Sequence, residues 1–137
     1  MRAVLDPNVL ISALISRDGS PALVLRAWLD GAFELIVSDQ LLAELERALS
    51  YPKLRKRVEP SEAIEFIELL RRGARMVDDP NNPPSVRSPD PGDDYLIALA
   101  ESQQAMIVSG DRDVLELAGR VPVRSPADFL VELDRRP

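Results

Sequence analysis

Acidic residues occur at four places along the chain where they could contribute to one reactive site. They are Asp6, Glu44, the pair Asp93 and Asp94, and the pair Asp111 and Asp113. If these carboxylates converged, their mutual repulsion would call for a cation. Carboxylate oxygens suit hard cations such as Mg²⁺ and Mn²⁺, and two such ions about 3.5–4 Å apart can support in-line cleavage of a phosphodiester. The acids therefore predict a metal site, provided that the fold brings them together.

The composition narrows the chemistry further. The chain has 137 residues, with 17 Lys and Arg against 23 Asp and Glu, a net charge of −6, and neither His nor Cys. The absence of Cys excludes disulfides, thiolate nucleophiles and thiolate zinc sites. The absence of His removes the usual general base near neutral pH. Taken by itself, the acidic balance argues against a nucleic-acid partner.

Each acid also has a purely structural interpretation. Carboxylates at helix N-termini are favourable by about 0.3–1 kcal/mol, which would explain the two Asp pairs. Glu44 could be a boundary residue with its carboxylate in water. The order of the acids along the chain, rather than any one of them, favours the metal site.

Alternating strand and helix patterns must position these acids. Short apolar runs predict strands at 2–5, 34–37, 74–77, 106–108 and 121–123. Helices are predicted from 20 to 31 with Ser20 as N-cap, from Ser38 to Pro52, from 60 to 73, from 93 to 103, from 111 to 117, and from 125 onward. The intervening segment 78–93 holds five of the 12 prolines and predicts a long loop.

This alternation predicts one domain over 1–137, a three-layer α/β/α sandwich with a mainly parallel central sheet. Ligands of such sheets bind beyond the carboxyl ends of the strands. Asp6 and Asp111 follow two of the predicted strands, and Gly110 leaves room for a ligand to approach the backbone. Trp28 is expected in the core. The buried face of the helix at 60–73 is predicted to comprise Ile64, Ile67, Leu69 and Leu70.

Four segments, in order, resemble the motifs of the PIN-domain (PilT N-terminus-like) ribonucleases over residues 1 to about 130. They are Asp6-Pro7-Asn8-Val9-Leu10-Ile11-Ser12-Ala13, Leu42-Ala43-Glu44-Leu45, Asp90-Pro91-Gly92-Asp93-Asp94-Tyr95-Leu96-Ile97-Ala98-Leu99-Ala100 and Val108-Ser109-Gly110-Asp111-Arg112-Asp113-Val114-Leu115. The chain looks most similar to the short stand-alone branch often described as toxins of toxin–antitoxin pairs. One departure is Pro7, which stands where the family usually has Thr and removes a hydroxyl and a backbone N–H.

The resemblance implies a metal-dependent endoribonuclease that uses Mg²⁺ or Mn²⁺. Asp6, Glu44, Asp94 and Asp111 would be the catalytic metal ligands, with Asp113 a further ligand. Asp93 and Asp113 are second choices, because the doubled acids leave the register open. Asn8, Ser12 and Ser109 would be supporting polar groups. The alternative is a catalytically inactive PIN-like module that binds RNA or protein.

Partners follow from the same reasoning. Four basic residues between two predicted helices are the expected RNA contact: Lys53, Arg55, Lys56 and Arg57. A second basic group, Arg71, Arg72 and Arg75, fits solvated cations at a helix end. The resemblance implies an antitoxin protein and a homodimer. The longest uncharged run, 7–16, is about half of the ~20 residues that span a bilayer, so we expect no membrane segment and a cytoplasmic protein.

Two other phosphate-handling families fit less well. A phosphoacceptor receiver domain would need paired acids after the first strand and a Lys after the fifth, but no Lys follows Lys56. A haloacid-dehalogenase-like phosphatase would need Asp-x-Asp after the first strand, where this chain has Asn8. Neither pattern is present.

Overall fold

The structure, a computed structural model, describes residues 1–135 and has a five-stranded parallel sheet at its centre. The strands are β1 (Arg2–Leu5), β2 (Glu34–Val37), β3 (Arg75–Met76), β4 (Met106–Val108) and β5 (Val123–Arg124). Their order across the sheet is β3-β2-β1-β4-β5. Ala3 pairs with Leu35 of β2 on one side and with Met106 of β4 on the other. β1 is therefore central, and the predicted parallel α/β/α arrangement is confirmed.

Helices fill the connections between the strands. They are α1 (Pro7–Ile15), α2 (Ser20–Leu29), α3 (Asp39–Leu49), α4 (Pro52–Arg55), α5 (Pro60–Gly73), a 3-10 helix (Pro91–Asp93), α6 (Asp94–Gln103), α7 (Arg112–Leu115) and α8 (Pro126–Asp134). α1 contacts α2 and α3, and α2 contacts α8, whereas α6 packs on β1 and β4. Because crossovers between parallel strands are right-handed, α6 lies on the face of the sheet opposite to α1, α2 and α3.

The core lies between the sheet and its helices. Ala3, Val4 and Leu5 of β1 are completely buried, as strands covered on both faces require. At one end of the core, the rings of Phe33 and Phe129 meet edge to face with centroids 5.0 Å apart, which joins α8 to the start of β2. Trp28 is buried as predicted. Among residues 1–135, no helix is both long and apolar enough to cross a membrane.

Helix α1 is the largest departure from the sequence prediction, which placed no helix at 7–15. The Asp6 side chain caps it by accepting the Asn8 N–H, and Pro7 is its first residue. Both features favour a helix start, since Asp is a good N-cap and proline at the first position sacrifices no hydrogen bond. The pair Asp6-Pro7 ends the strand and begins a helix at the same time.

Several element limits also differ from the prediction. Gly19, not Ser20, is the N-cap of α2, and Pro52 begins the short helix α4 as well as following α3. Segment 74–77 contributes only two residues to the sheet, and α7 stops at Leu115. The last strand lies at Val123–Arg124 rather than 121–123. Apart from α4, which the sequence prediction did not contain, each difference falls at an element end, where local pattern is least decisive.

The buried face of α5 is rotated from the predicted one. Phe66, Ile67 and Leu70 are buried, whereas Ile64 is 64% exposed and Leu69 is 40% exposed. The prediction that Ile64 and Leu69 are buried is wrong. The helix contains more apolar residues than one face can hold, and contact with α3 selects the face that includes Phe66.

The rotation of α5 gives a matched pair of substitutions. Ile67→Ala removes buried methylene groups and should lower the free energy of unfolding by about 2–4 kcal/mol. Ile64→Ala, three residues away on the same helix, should change it by less than about 0.5 kcal/mol. Urea denaturation monitored by circular dichroism measures both. Equal losses would show that Ile64 belongs to the core.

Candidate metal centre

Asp6 lies at the junction of β1 and α1, and the residue is only 4% exposed. Its backbone N–H donates to the Val108 carbonyl at 2.9 Å. The carboxylate accepts the Asn8 N–H at 3.0 Å on Oδ1 and the Ser109 hydroxyl at 2.8 Å on Oδ2. Burial raises the pKa of Asp6, these two hydrogen bonds oppose the rise, and the charge of Asp111 adds to it. The group is thus fixed in position but costly to ionise.

Ser109 joins Asp6 to Asp111 on the neighbouring strand end. The Ser109 Oγ, which is fully buried, accepts the Asp111 N–H at 3.0 Å. Asp111 in turn caps α7 by accepting the Asp113 N–H on Oδ1 at 2.8 Å. The two acids predicted at the ends of strands are therefore linked by one hydroxyl at the carboxyl edge of the sheet.

Asp93 completes this cluster from the start of α6. Its Oδ2 is buried, and among residues 1–135 it has no hydrogen-bond partner. Burial raises the pKa of Asp93 to about 7, with further contributions from the charges of Asp6, Asp111, Asp90 and Asp113. A buried oxygen surrounded by like charges is a position that a cation would stabilise.

Asp94 has a different environment, although it is the next residue. Its Oδ1 accepts the Ser88 N–H at 2.9 Å, and its Oδ2 pairs with Arg87 at 3.0 Å. The Ser88 N–H, outweighing burial, and the Arg87 guanidinium together hold the pKa of Asp94 below its usual value. Both oxygens of Asp94 are occupied by the proline-rich loop before α6.

Glu44 and Tyr95 lie at the margin of the cluster. Glu44 is half-buried on α3 and forms an ion pair with Arg47 one turn later. Burial raises the pKa of Tyr95, and the charges of Asp6, Glu44, Asp93 and Asp79 raise it further. Tyr95 is therefore within electrostatic reach of acids from α3, α6 and the end of β1, which relates Glu44 to the cluster.

The donor set fits a hard cation, although the carboxylates do not form a closed cage. In the part of the chain that the structure describes, no group of three or more acidic side chains is close enough to hold a metal ion by itself. Mg²⁺ keeps several water ligands and is commonly held by one or two carboxylates together with substrate phosphates. The unpartnered Asp93 Oδ2 beside Asp6 and Asp111 is consistent with such an open site.

The basic residues predicted to contact RNA are not brought to the acids. Lys53 and Arg55 lie on α4 and Lys56 and Arg57 follow it, all exposed, beyond the end of α3 that is farther from the sheet edge. The second basic group, predicted to be solvated cations at a helix end, is exposed but ion-paired on the surface. Arg71 pairs with Asp39, Arg72 with Glu68 and Arg75 with Glu34.

Three residues near the acids were missed by the sequence reasoning: Arg47, Arg87 and Tyr95. Arg47 could have been found, because residues three apart on a helix are neighbours and Glu44 precedes it by three. Arg87 carries no local signal, since its contact with Asp94 depends on the path of an irregular loop. Tyr95 directly follows the acid pair, but its environment depends on packing between α3 and α6.

Comparison with known proteins identifies the family. A family model for the PIN domain matches residues 2–113. The uncharacterised protein MJ1680 of Methanocaldococcus jannaschii is 27% identical over 145 residues, covering 98% of this chain and 93% of that protein.

Three solved structures have a similar fold. The PilT N-terminus domain protein SSO1118 of Sulfolobus solfataricus is 14% identical with a TM-score of 0.60, covering 100% of this chain and 97% of the other. PAE2754 of Pyrobaculum aerophilum is 17% identical with a TM-score of 0.64, covering 99% and 91%. VapBC2 of Rickettsia felis, bound to a DNA fragment from its promoter, is 16% identical with a TM-score of 0.59, covering 91% and 98%.

The adjacent acids Asp93 and Asp94 should respond oppositely to pH in protein stripped of metal by EDTA. A raised folded-state pKa gives Asp93 a stabilising contribution that is complete below its unfolded value of 3.8 and is lost as the pH rises through about 7. Asp93→Asn should therefore raise the melting temperature most at about pH 8, less at about pH 5, and little below pH 3.8.

Asp94→Asn is the matched control, because it neutralises one charge at the next position. Its lowered pKa gives stability that is present above 3.8 and is lost as the pH falls, so this variant should melt below the wild type near neutral pH. Thermal unfolding across the pH range distinguishes the two. If Asp93→Asn also melted below the wild type at about pH 8, the assignment of Asp93 to the repulsive cluster would be wrong.

Proposed function

Because this chain belongs to the PIN-domain family, a family of nucleases, we propose that it is a metal-dependent endoribonuclease using Mg²⁺ or Mn²⁺. The observation that carries the proposal is the buried, unpartnered Oδ2 of Asp93 among the charges of Asp6 and Asp111. Without a cation, the repulsion between these carboxylates lowers the stability of the fold. A bound cation would relieve that repulsion, which would favour its binding.

Asp6, Asp93 and Asp111 are the proposed metal ligands, with Glu44 and Asp113 at the margin of the site. The preference for Asp93 over Asp94 rests on their contacts. Asp94 already uses both oxygens to hold Ser88 and Arg87, so its proposed role is to position the loop that borders the cluster. The Oδ2 atom of Asp93 has no hydrogen-bond partner within residues 1–135 and is therefore available to bind a cation.

When bound, the metal would lower the pKa of a water nucleophile and stabilise the leaving oxygen. The side chains of the protein would position the metal ligands and control their protonation. The Ser109 hydroxyl orients Asp6 by donating to Oδ2, so that the carboxylate cannot rotate freely. At acidic pH Asp93 holds a proton, which must leave before a cation can bind there.

Two exposed guanidinium groups flank the acids and are the nearest proposed contacts for RNA phosphates. Arg47 is 61% exposed beside Glu44, and Arg87 is 64% exposed beside Asp94. Each is held by a carboxylate at one end of the site, which leaves other N–H groups free to bind a phosphate. They provide local positive charge in a chain whose net charge is −6.

The four basic residues around α4 are the proposed contact for phosphates farther along the RNA. Reversing two of them, in Lys53→Glu with Lys56→Glu, should weaken RNA binding and flatten its salt dependence. Each lost phosphate contact on a single strand should reduce the slope of log K against log salt by about 0.7. Fluorescence anisotropy over a salt series measures this.

The matched control reverses two exposed arginines elsewhere, Arg17→Glu with Arg26→Glu, at an equal change in net charge. If the control flattened the salt slope as much as the α4 variant, the effect would be one of overall charge and the α4 contact would be refuted.

The direct test of the proposed function is cleavage of single-stranded RNA in Mn²⁺ by the wild type and by Asp6→Asn. Loss of an outer group around a metal typically costs about 10–100-fold, so loss of this ligand should reduce the rate by more than about 100-fold. Asn can still cap α1, so the fold should survive. Asp30→Asn, at an exposed position outside the cluster, should cleave like the wild type.

Calorimetric titration of Mn²⁺ accompanies the cleavage assay. Equal cleavage by the wild type and Asp6→Asn would overturn the metal-site assignment. Metal binding by the wild type with no turnover of any RNA would favour the alternative, an inactive binding module.

Membership of a toxin–antitoxin pair is the proposed biological setting, with this chain as the toxin. The support is the similarity of fold to VapBC2 of Rickettsia felis. A basic segment of an antitoxin would complement the acidic cluster by charge and could occupy it in place of a cation. A homodimer and a cytoplasmic location, where RNA is available, belong to the same proposal.

A further inference from the structure

A cavity of about 270 Å³ lies between α1, α2, α8 and the loop after β4, beside Asp111 of the acidic cluster. Asp111 and Asn8 form its boundary with the cluster, and Asn8 is also the residue whose N–H binds Asp6. A ligand in this cavity would therefore lie next to any bond cleaved at the acids.

The walls of the cavity are mostly apolar. Val9 of α1, Pro21 of α2 and Pro126 of α8 line it, so three helices contribute to its shape. Pockets for drug-sized ligands have volumes of about 300–1,000 Å³ and combine apolar walls with a few polar groups. This cavity is slightly smaller and has the same character, which suits a single planar ring system.

The polar groups of the cavity can form hydrogen bonds but cannot neutralise a phosphate. Asn8 and Ser12 are four residues apart and so share one face of α1. Within residues 1–135, neither side chain makes a hydrogen bond, and both are exposed. The lining contains no Lys or Arg, and it includes the carboxylate of Asp111. A neutral group with donors and acceptors at its edge matches this lining, whereas an anion does not.

Gly110 leaves one side of the cavity open. A Cβ built on Gly110 would meet no atom within 4 Å, and its backbone does not have a positive φ. Because Gly110 lines the cavity, we expect a larger side chain at this position to narrow it without displacing protein atoms. Position 110 therefore offers a way to alter the cavity, since its backbone conformation does not require glycine.

We propose that the cavity lined by Asn8, Ser12, Pro21, Gly110 and Pro126 is a subsite for one unpaired nucleobase of the RNA, adjacent to the phosphodiester cleaved at the acidic cluster. The Asn8 amide supplies a donor and an acceptor to one base edge, as Asn does with adenine, and the proline rings contact the faces. The subsite deepens the proposed nuclease function and rests on it.

The test combines a cavity-filling variant with removal of single bases from the RNA. Short single-stranded RNAs with one mapped cleavage position are prepared with an abasic nucleotide at each flanking position in turn. The value of kcat/KM is measured for the wild type, Gly110→Val and Gly119→Val. Gly119 is the matched control, since it is also exposed, has no positive φ and has open space within 4 Å of where a Cβ would lie.

For the wild type, removal of the base at one flanking position should lower kcat/KM by about tenfold. Gly110→Val should lower kcat/KM on intact RNA by a similar factor and should lose nothing further when that base is absent, because both changes remove the same contact. Gly119→Val should match the wild type on every substrate. Asn8→Ala, which keeps the backbone N–H to Asp6, should reduce discrimination between bases at the same position.

Two other results would overturn the subsite. One is identical behaviour of Gly110→Val and Gly119→Val, and the other is multiplication of the effects of Gly110→Val and base removal. Anisotropy measurements of Kd with the same RNAs separate this failure from that of the nuclease. If the wild type cleaves no RNA, the nuclease proposal fails. In that case the subsite is supported only if Kd depends on the base in the wild type and not in Gly110→Val, and any other result refutes it. Melting temperatures confirm that the variants are folded.

Discussion

Burying a carboxylate costs free energy unless hydrogen bonds to its oxygens compensate, and Asp6 meets this constraint with groups from the end of β4 and the start of α1. Its N–H continues the pairing of β1 with β4, and its side chain accepts from Asn8 and Ser109. The end of the central strand, the start of α1 and the acidic cluster are consequently positioned by one residue. Ser109 extends the same constraint to Asp111, so the two strand ends cannot move independently.

The distribution of charge explains how an acidic protein can be a candidate for binding RNA. The net charge of −6 is not spread evenly. Asp6, Asp111 and Asp113 lie close enough to Asp93 to raise its pKa. Arg47 and Arg87 are each held beside a neighbouring acid, Glu44 and Asp94 respectively. A polyanion would therefore meet local cations at the edges of a site whose centre is negative, and the proposed metal would offset that central charge. Total charge describes this surface poorly.

The sequence predicts the order of the elements well because most strands are short apolar runs that stop close to a helix start, whereas β3 is exposed and leads into a long loop. Glu34–Val37 followed by the Ser38 cap is the clearest case. The sequence does not predict which of the adjacent acids Asp93 and Asp94 joins the cluster. That choice depends on the 3-10 helix Pro91–Asp93 and on contacts from Arg87 and Ser88, which lie in an irregular loop. Likewise, the buried face of α5 was set by contact with α3, not by apolar spacing alone.

Asp6 and Asp111 each use a side-chain oxygen to cap a helix, and this double duty has an evolutionary consequence. Asn caps a helix about as well as Asp but lacks the charge, and a single base change in the codon converts one into the other. A lineage of this protein could therefore abandon the proposed hydrolysis in one mutational step without losing its fold. Replacement by an aliphatic residue would remove the helix cap as well as the proposed metal ligand, and selection would remove it. Among descendants that only bind, positions 6 and 111 should therefore drift to asparagine first.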